Sequence, residues 1–222
     1  MKLKLPKPVA WLGFIFLIPS LVLNFFLFQK NQTDPQGILV LEVLDGDTLL
    51  LDGKVRLRLR QVDAPELEFC GGQEAKVLLT DLVKNKKVVL KEYILDQYAR
   101  PMALVYLKDE SINLTMIQSG WTRYHSDTTE LTTQLKAAAN EIKANRIGIY
   151  SPDCYQTENL ANPGCNIKAN IDKNSSKDPK KYYLPDCAQY EFTIIEKDIG
   201  ENWFCTEKEA QAAGFIKAET CY

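Results

Sequence analysis

Ile38-Leu-Val-Leu-Glu-Val-Leu-Asp-Gly-Asp-Thr-Leu-Leu-Leu-Asp-Gly-Lys-Val-Arg-Leu-Arg-Leu-Arg-Gln-Val62 decides the fold. Asp45-Gly46 and Asp52-Gly53 are hairpin turn signals. The aliphatic runs around them, 38–44, 47–51 and 54–62, read as three consecutive antiparallel strands, a meander. Two more strands follow, over 87–95 and 102–107, the second turned by Asp109-Glu110. Between and beyond them lie helical patterns. Ala75, Leu78, Leu79 and Leu82 have helical spacing within 73–83. Asn113 is placed to cap a short helix ending at Gly120. Leu131, Leu135, Ala138, Ala139 and Ile142 mark a longer amphipathic helix, with Gly148 after it. Mainly β with α, this order predicts an OB-type five-stranded β-barrel plus three helices. A ferredoxin-like sheet is the nearest rival, and the long opening meander argues against it.

The same stretch carries chemistry. Arg56, Arg58 and Arg60 alternate with Leu57 and Leu59, so strand period places the arginines on one face. Singly, each reads as a solvated surface residue. Asp47 follows a tight turn, which can aim a carboxylate into a cleft. Strict alternation puts Asp63 opposite Arg58, so a bulge or turn must intervene if they share a site. Pro65 ends the strand there. Carboxylates hold a hard cation and supply a base, and arginines hold phosphate. Few chemistries besides phosphodiester cleavage need both together. A further arginine, Arg100, lies in Asp96-Gln-Tyr-Ala-Arg100 between the last two barrel strands. The single histidine, His125, sits in Tyr124-His-Ser-Asp127 with no partner pattern and reads as a surface-loop residue. Histidine-metal and Ser-His-Asp chemistries, P-loops and dinucleotide fingerprints find no support. A net charge of −2 excludes a global basic field, so any polyanion must meet a local patch.

Residues 1–30 read as a basic tail and membrane anchor. Met1 to Pro8 is basic, and Trp11 to Phe28 carries no charge. The uncharged run approaches the ~20 residues that span a bilayer. The lysines precede it, so the tail stays cytoplasmic and the remainder lies outside. A cleaved signal peptide, which would make the protein secreted, is the rival reading. Residues 31–37 form a tether, 38–152 the barrel domain, 153–181 a linker or long loop rich in Asn, Lys and Ser, and 182–222 a small α+β module. In that module Thr206-Glu-Lys-Glu209 is a capping box, and Gly214 stops the helix. The six cysteines, at 70, 154, 165, 187, 205 and 221, fit an oxidising compartment. Six allow 15 pairings, which sequence leaves open.

Together, Asp45-Gly-Asp-Thr48, Val55-Arg-Leu through Val62-Asp-Ala-Pro-Glu66, Gly72-Gln-Glu-Ala75, Asp96-x-Tyr-x-Arg100 with Ala103, and Gly148 resemble the staphylococcal nuclease family over roughly residues 38–152. The resemblance implies calcium-dependent cleavage of DNA and RNA. It implies catalytic roles for Arg58 and Arg100, with Glu66 as general base. It implies that Asp47, Asp63 and the Ala64 main-chain carbonyl hold calcium, where relatives often carry threonine at the last position. Tyr98 is the local candidate for a base or sugar contact. Two departures stand out: Ala99 replaces the usual glycine, and Pro101 follows the arginine. If the turn needs positive φ at Ala99, alanine costs ~1 kcal/mol or more. Trp203 to Gly214, with Cys187 and Cys221, resembles a small cysteine-containing module found behind exported domains. A zinc site from Cys165, Cys187, Cys205 and Cys221 is conceivable, but the spacings lack Cys-x-x-Cys and disulfides fit better. Cys70 and Cys154 would then pair with each other.

The expectation is a monomeric, membrane-anchored, extracytoplasmic calcium-dependent endonuclease. Its substrate is nucleic acid, single-stranded or frayed, because an OB-type groove holds splayed nucleotides. Magnesium suits mixed carboxylate and carbonyl ligation less well. The alternative is a catalytically inactive OB-type protein that binds nucleic acid or the cell envelope.

Overall fold

The computed structural model describes residues 37–172 and 179–221. The expected anchor over 1–30 and most of the tether lie outside the described residues. Among the described residues, no helix is long and apolar enough to cross a membrane.

Strands β1 (Ile38–Val43), β2 (Thr48–Leu51) and β3 (Val55–Leu59) form the expected meander. Leu49, Leu51, Leu57 and Leu59 turn inward and are buried, while Arg56 and Arg58 turn outward. Burying each such leucine contributes roughly 2 kcal/mol. After β3 the chain does not continue straight. Gln61 takes a left-handed φ of 62°, and a short strand β4 (Val62–Asp63) leaves the barrel ladder. The intervening turn that the alternation required is therefore present.

Helix α1 (Gly72–Val83) packs Ala75, Leu79 and Val83 into the core. Strands β5 (Lys87–Leu95) and β6 (Pro101–Leu107) follow as a long hairpin, and β7 (Glu110–Ser111) pairs on β6. β5 pairs with β1, and β6 runs parallel to β3 with Arg58 beside Met102 and Leu59 beside Ala103. The five strands thus close in the order β1-β2-β3-β6-β5. Closure removes the free edges of an open sheet and excludes the ferredoxin-like alternative.

Helix α2 (Ile112–Gln118) corrects one expectation. Its N-cap is Ser111, whose Oγ accepts from the Leu114 amide at 3.2 Å. Asn113 is instead fully buried inside the first turn. Its Oδ1 accepts from Val105 N at 2.8 Å, and its Nδ2 donates to Arg60 O at 2.7 Å. These groups lie where β3 and β6 diverge, and burial makes their satisfaction more valuable than a cap. Strand β8 (Arg123–Tyr124) pairs with β4, and helix α3 (Thr132–Ala144) packs Leu135 and Ala138 on the core.

Strand β9 (Tyr155–Gln156) and β12 (Ile195–Glu196) pair with each other. Strands β10 (Ile167–Ile171), β11 (Lys180–Tyr183), β13 (Asn202–Phe204) and β14 (Ile216–Lys217) form a second sheet in the order β13-β10-β11-β14. Helix α4 (Glu207–Ala212) starts at the expected capping box of Thr206 and Glu209. Ile167, Ala169, Tyr182, Ala210 and Phe215 form its core. The segment expected as a linker therefore carries β10, one of the two inner strands of this sheet. Its Asn- and Lys-rich composition hid an inward Ile167 and Ala169. Disulfides join Cys165 to Cys205, Cys187 to Cys221 and Cys70 to Cys154, so no thiol is left for zinc.

Residues 38–222 form one compact unit. Besides Cys70–Cys154, Arg123 on β8 ties the barrel to the segment around β12. That side chain donates to both oxygens of Asp198, at 2.5 and 2.7 Å, and to Glu196 at 3.0 Å. Burial alone would lower the Arg123 pKa, but hydrogen bonds and charge from Asp198, with charge from Glu196, raise it.

Candidate active site

The Asp45-Gly46 turn delivers Asp47 to the mouth of the barrel. Asp45 Oδ1 accepts from the Asp47 amide at 3.0 Å and shapes the turn. A Cβ at Gly46 would stand 2.5 Å from Ala75 Cβ and 2.6 Å from Ala64 Cβ, so only glycine allows α1 and the 64 segment this close. Asp47 is 3% exposed. Its Oδ2 accepts from the Ala64 amide at 2.9 Å, and its Oδ1 from Thr48 Oγ1 at 2.9 Å. Burial pushes the Asp47 carboxyl up to about 7, against the lowering effects of Arg58 and the Ala64 amide.

Arg58 Nη2 lies 2.8 Å from Asp47 Oδ2 and also pairs with Asp63 Oδ1. The left-handed Gln61 brings Asp63 back to the side of Arg58. Two carboxylates, Asp47 from the β1–β2 turn and Asp63 from β4, thus converge on one cationic nitrogen. That donor set, beside the Ala64 main chain, suits a hard cation once the guanidinium moves aside. Among the described residues, no cluster of three or more His, Cys, Asp or Glu side chains has metal-binding geometry. A cation here would complete its shell with a carbonyl and water, which a large flexible coordination sphere tolerates.

A cleft of about 610 Å³ opens beside this pair, with Arg58, Asp63, Tyr98 and Arg100 in its lining. Tyr98 and Arg100 sit on the β5–β6 hairpin. Asp96 organises the loop by accepting from the amides of Tyr98 and Arg100, both at 2.8 Å, and from Arg100 Nε at 2.7 Å. Burial pulls the Asp96 carboxyl upward, but these Arg100 and Tyr98 donors outweigh it and hold it below its usual range. Ala99 adopts φ 58°, the strained conformation that its substitution for glycine implied. The Arg100 guanidinium lies 5.2 Å from the Tyr98 ring. Glu66 follows Ala64 by two residues and is exposed, outside the lining of the cleft. The structure thus brings Asp47, Asp63, Ala64 and Arg58 into contact, adds Arg100 and Tyr98 to the cleft lining, and leaves Glu66 outside that lining.

Arg56 and Arg60 take no part in that contact. Arg56 is exposed. Arg60 is nearly buried and forks onto Asp127, with further bonds to Thr128 O at 2.9 Å and Glu92 O at 3.2 Å. Gln61, His125, Ser126 and Asp127 also line the cleft, outside the residues that the motifs single out. Only Gln61 had a visible clue, as a polar residue ending an aliphatic strand.

Comparison with known proteins follows this geometry. The family model described as staphylococcal nuclease homologue matches residues 56–152. A Haemophilus influenzae protein named as an uncharacterized endonuclease is 35% identical over 134 residues, covering 57% of this chain and 75% of its own. A Shigella flexneri protein named micrococcal nuclease is 32% identical over 127 residues, covering 50% of this chain and 72% of its own. An Oryza sativa protein named as a probable staphylococcal-like nuclease is 28% identical over 121 residues. The family model begins inside β3, so Asp47 lies outside the matched span yet joins Arg58 and Asp63 in space. The closed barrel, the site geometry and these likenesses agree, and the chain belongs to the staphylococcal nuclease family.

Proposed function

We propose that the protein cleaves DNA and RNA with calcium as its metal, outside the cytoplasm, and prefers single-stranded or frayed substrate. That it is a nuclease, a phosphodiester hydrolase, follows from its family. The observation supporting the finer reading is the convergence of Asp47 and Asp63 on Arg58 at the edge of a cleft that also holds Arg100. Asp47, Asp63 and the Ala64 carbonyl are assigned to the cation. Calcium, when bound, supplies positive charge beside a non-bridging phosphate oxygen. Arg58 and Arg100 fork onto the remaining oxygens and favour the crowded, more anionic transition state. Arg100 leaves Asp96 to do so, and its side chain is 56% exposed. Glu66 orients or deprotonates the attacking water. Tyr98, exposed on the hairpin, offers a face to a base or sugar.

Three disulfides and the basic, then apolar, N-terminal sequence support an oxidising location outside the cytoplasm, tethered to the membrane. One observation favours the inactive-binder reading: Arg100 is paired with Asp96 rather than aimed at Arg58. Digestion of single-stranded DNA with calcium, and then with a chelator, decides between them. Cleavage is expected only with calcium. Glu66→Gln and Arg58→Ala are each expected to nearly abolish it. Equal cleavage with chelator overturns the metal assignment, and full activity in both variants overturns the site.

A further inference from the structure

Arg58 and Arg100 account for one phosphate, yet the cleft, at about 610 Å³, is of a size that takes a much larger ligand. Its remaining wall is the loop that begins at His125. That wall is built rather than loose. The His125 amide donates to Gln61 O at 3.1 Å. Gln61, 1% exposed, donates through Nε2 to Asp127 O at 2.6 Å and to Thr132 Oγ1 at 3.0 Å, and accepts from Thr129 Oγ1. Arg60 grips the Asp127 carboxylate and Thr128 O from below. The backbone around His125 is thereby fixed on both sides. The imidazole itself is exposed to the cleft, and no hydrogen bond to it occurs among the described residues. Asp127, its neighbour, is committed to Arg60.

We propose that His125 is a substrate-binding residue, its imidazole N–H donating to an oxygen of the phosphate adjacent to the one being cut. A neutral imidazole keeps one N–H donor and a charged one has two, so the contact needs no particular protonation state. Successive phosphates repeat along a strand at short spacing, so a strand held at Arg58 and Arg100 lays its next phosphate against another wall of the same cleft. The inference rests on the nuclease reading of the cleft and adds a specific register for the strand.

The test uses the full chain with His125→Ala and His125→Gln, measuring KM, kcat and thermal midpoint on a short single-stranded DNA. A second substrate carries one uncharged methylphosphonate next to the cleavage position. His125→Ala is expected to raise KM on the order of tenfold, with kcat within about twofold and an unchanged midpoint. His125→Gln, which keeps a donor, recovers most of the loss. The methylphosphonate raises KM for the parent protein and has little further effect on His125→Ala. An unchanged KM in His125→Ala, a fall in kcat alone, or equal methylphosphonate sensitivity in both proteins overturns the proposal. If His125→Ala lowers the midpoint, His125→Gln decides: folded with KM as high as the alanine variant, it also overturns it. Arg58→Ala, measured alongside, separates the two readings, since cleavage surviving there sinks the nuclease site itself rather than the His125 contact.

Discussion

Arg58 Nη2 lies 2.8 Å from Asp47 Oδ2, so the guanidinium assigned to phosphate occupies the point where a cation would sit. With calcium held as proposed, the two are expected to compete in the substrate-free protein. Arg58→Ala is expected to lower kcat by about 10²- to 10³-fold, the usual loss for one preorganised donor on a developing charge. The same variant binds calcium more tightly without substrate, because a like charge is gone. Calorimetric titration beside single-turnover kinetics checks both. Weaker calcium binding in Arg58→Ala contradicts the competition.

Asp47 gives the metal-free protein a pH signature. Its folded carboxyl is raised by burial to about 7, above its usual 3.8. Between those values the native state holds more protons than the unfolded state, so stability falls as pH rises through that window. The contribution is fully present below pH 3.8 and lost above about 7. Calcium bound as proposed would take the ionised form, so it is expected to reverse the trend, with an affinity that weakens as pH drops below about 7. Urea midpoints with chelator and with calcium across this range should diverge as pH rises. Parallel curves would remove Asp47 from both roles.

Gly46 permits the contact between the first hairpin, Ala64 and Ala75. Gly46→Ala forces two Cβ atoms inside contact distance and is expected to cost about 1–3 kcal/mol, typical of overpacking. Because Ala64 also donates to Asp47, calcium affinity at the proposed site is expected to fall with it. Chemical denaturation combined with calcium titration reads both losses. A variant as stable as the parent would show that α1 shifts freely.

Asp198→Asn leaves Arg123 largely buried with its best partner gone. Breaking one side of such a pair typically costs about 3–5 kcal/mol. Arg123 is opposite Asp63 in the β4–β8 ladder, so the loss is transmitted toward the cleft. The double variant Arg123→Met with Asp198→Leu is expected to recover much of the stability. Denaturant midpoints of the parent, Arg123→Met, Asp198→Leu and the double variant give the coupling directly.

The barrel was legible because its signals are local. Asp-Gly turns and alternating Leu57 and Leu59 specify hairpins without help from distant residues. The carboxylates and arginines were legible as types and spacings. Their convergence was not, since it depends on the left-handed Gln61, which no side-chain pattern announces. Asn113 misled because a residue that favours caps also satisfies buried amides, and only the divergence of β3 from β6 selects the second role. His125 reads from sequence as a surface-loop residue, and its place on the cleft wall was not legible because Gln61 and Arg60, far away in sequence, hold its loop in place. In the C-terminal half, β10 was masked because Lys168 and Asn170 have linker-type side chains yet lie buried and half-buried, Lys168 donating to Tyr190 O and Thr193 O.

The parallel seam between β3 and β6 sets the order in which the protein can be made. Local hairpins form as soon as their strands emerge, but the ring cannot shut until the chain through Leu107 is available. Until then β3 presents an unpaired edge, which is open to mispairing and attack by proteases. The Cys70–Cys154 link spans 84 residues and must come later still. Nascent chains truncated before β6 should therefore be rapidly degraded, whatever the strength of the contacts already made.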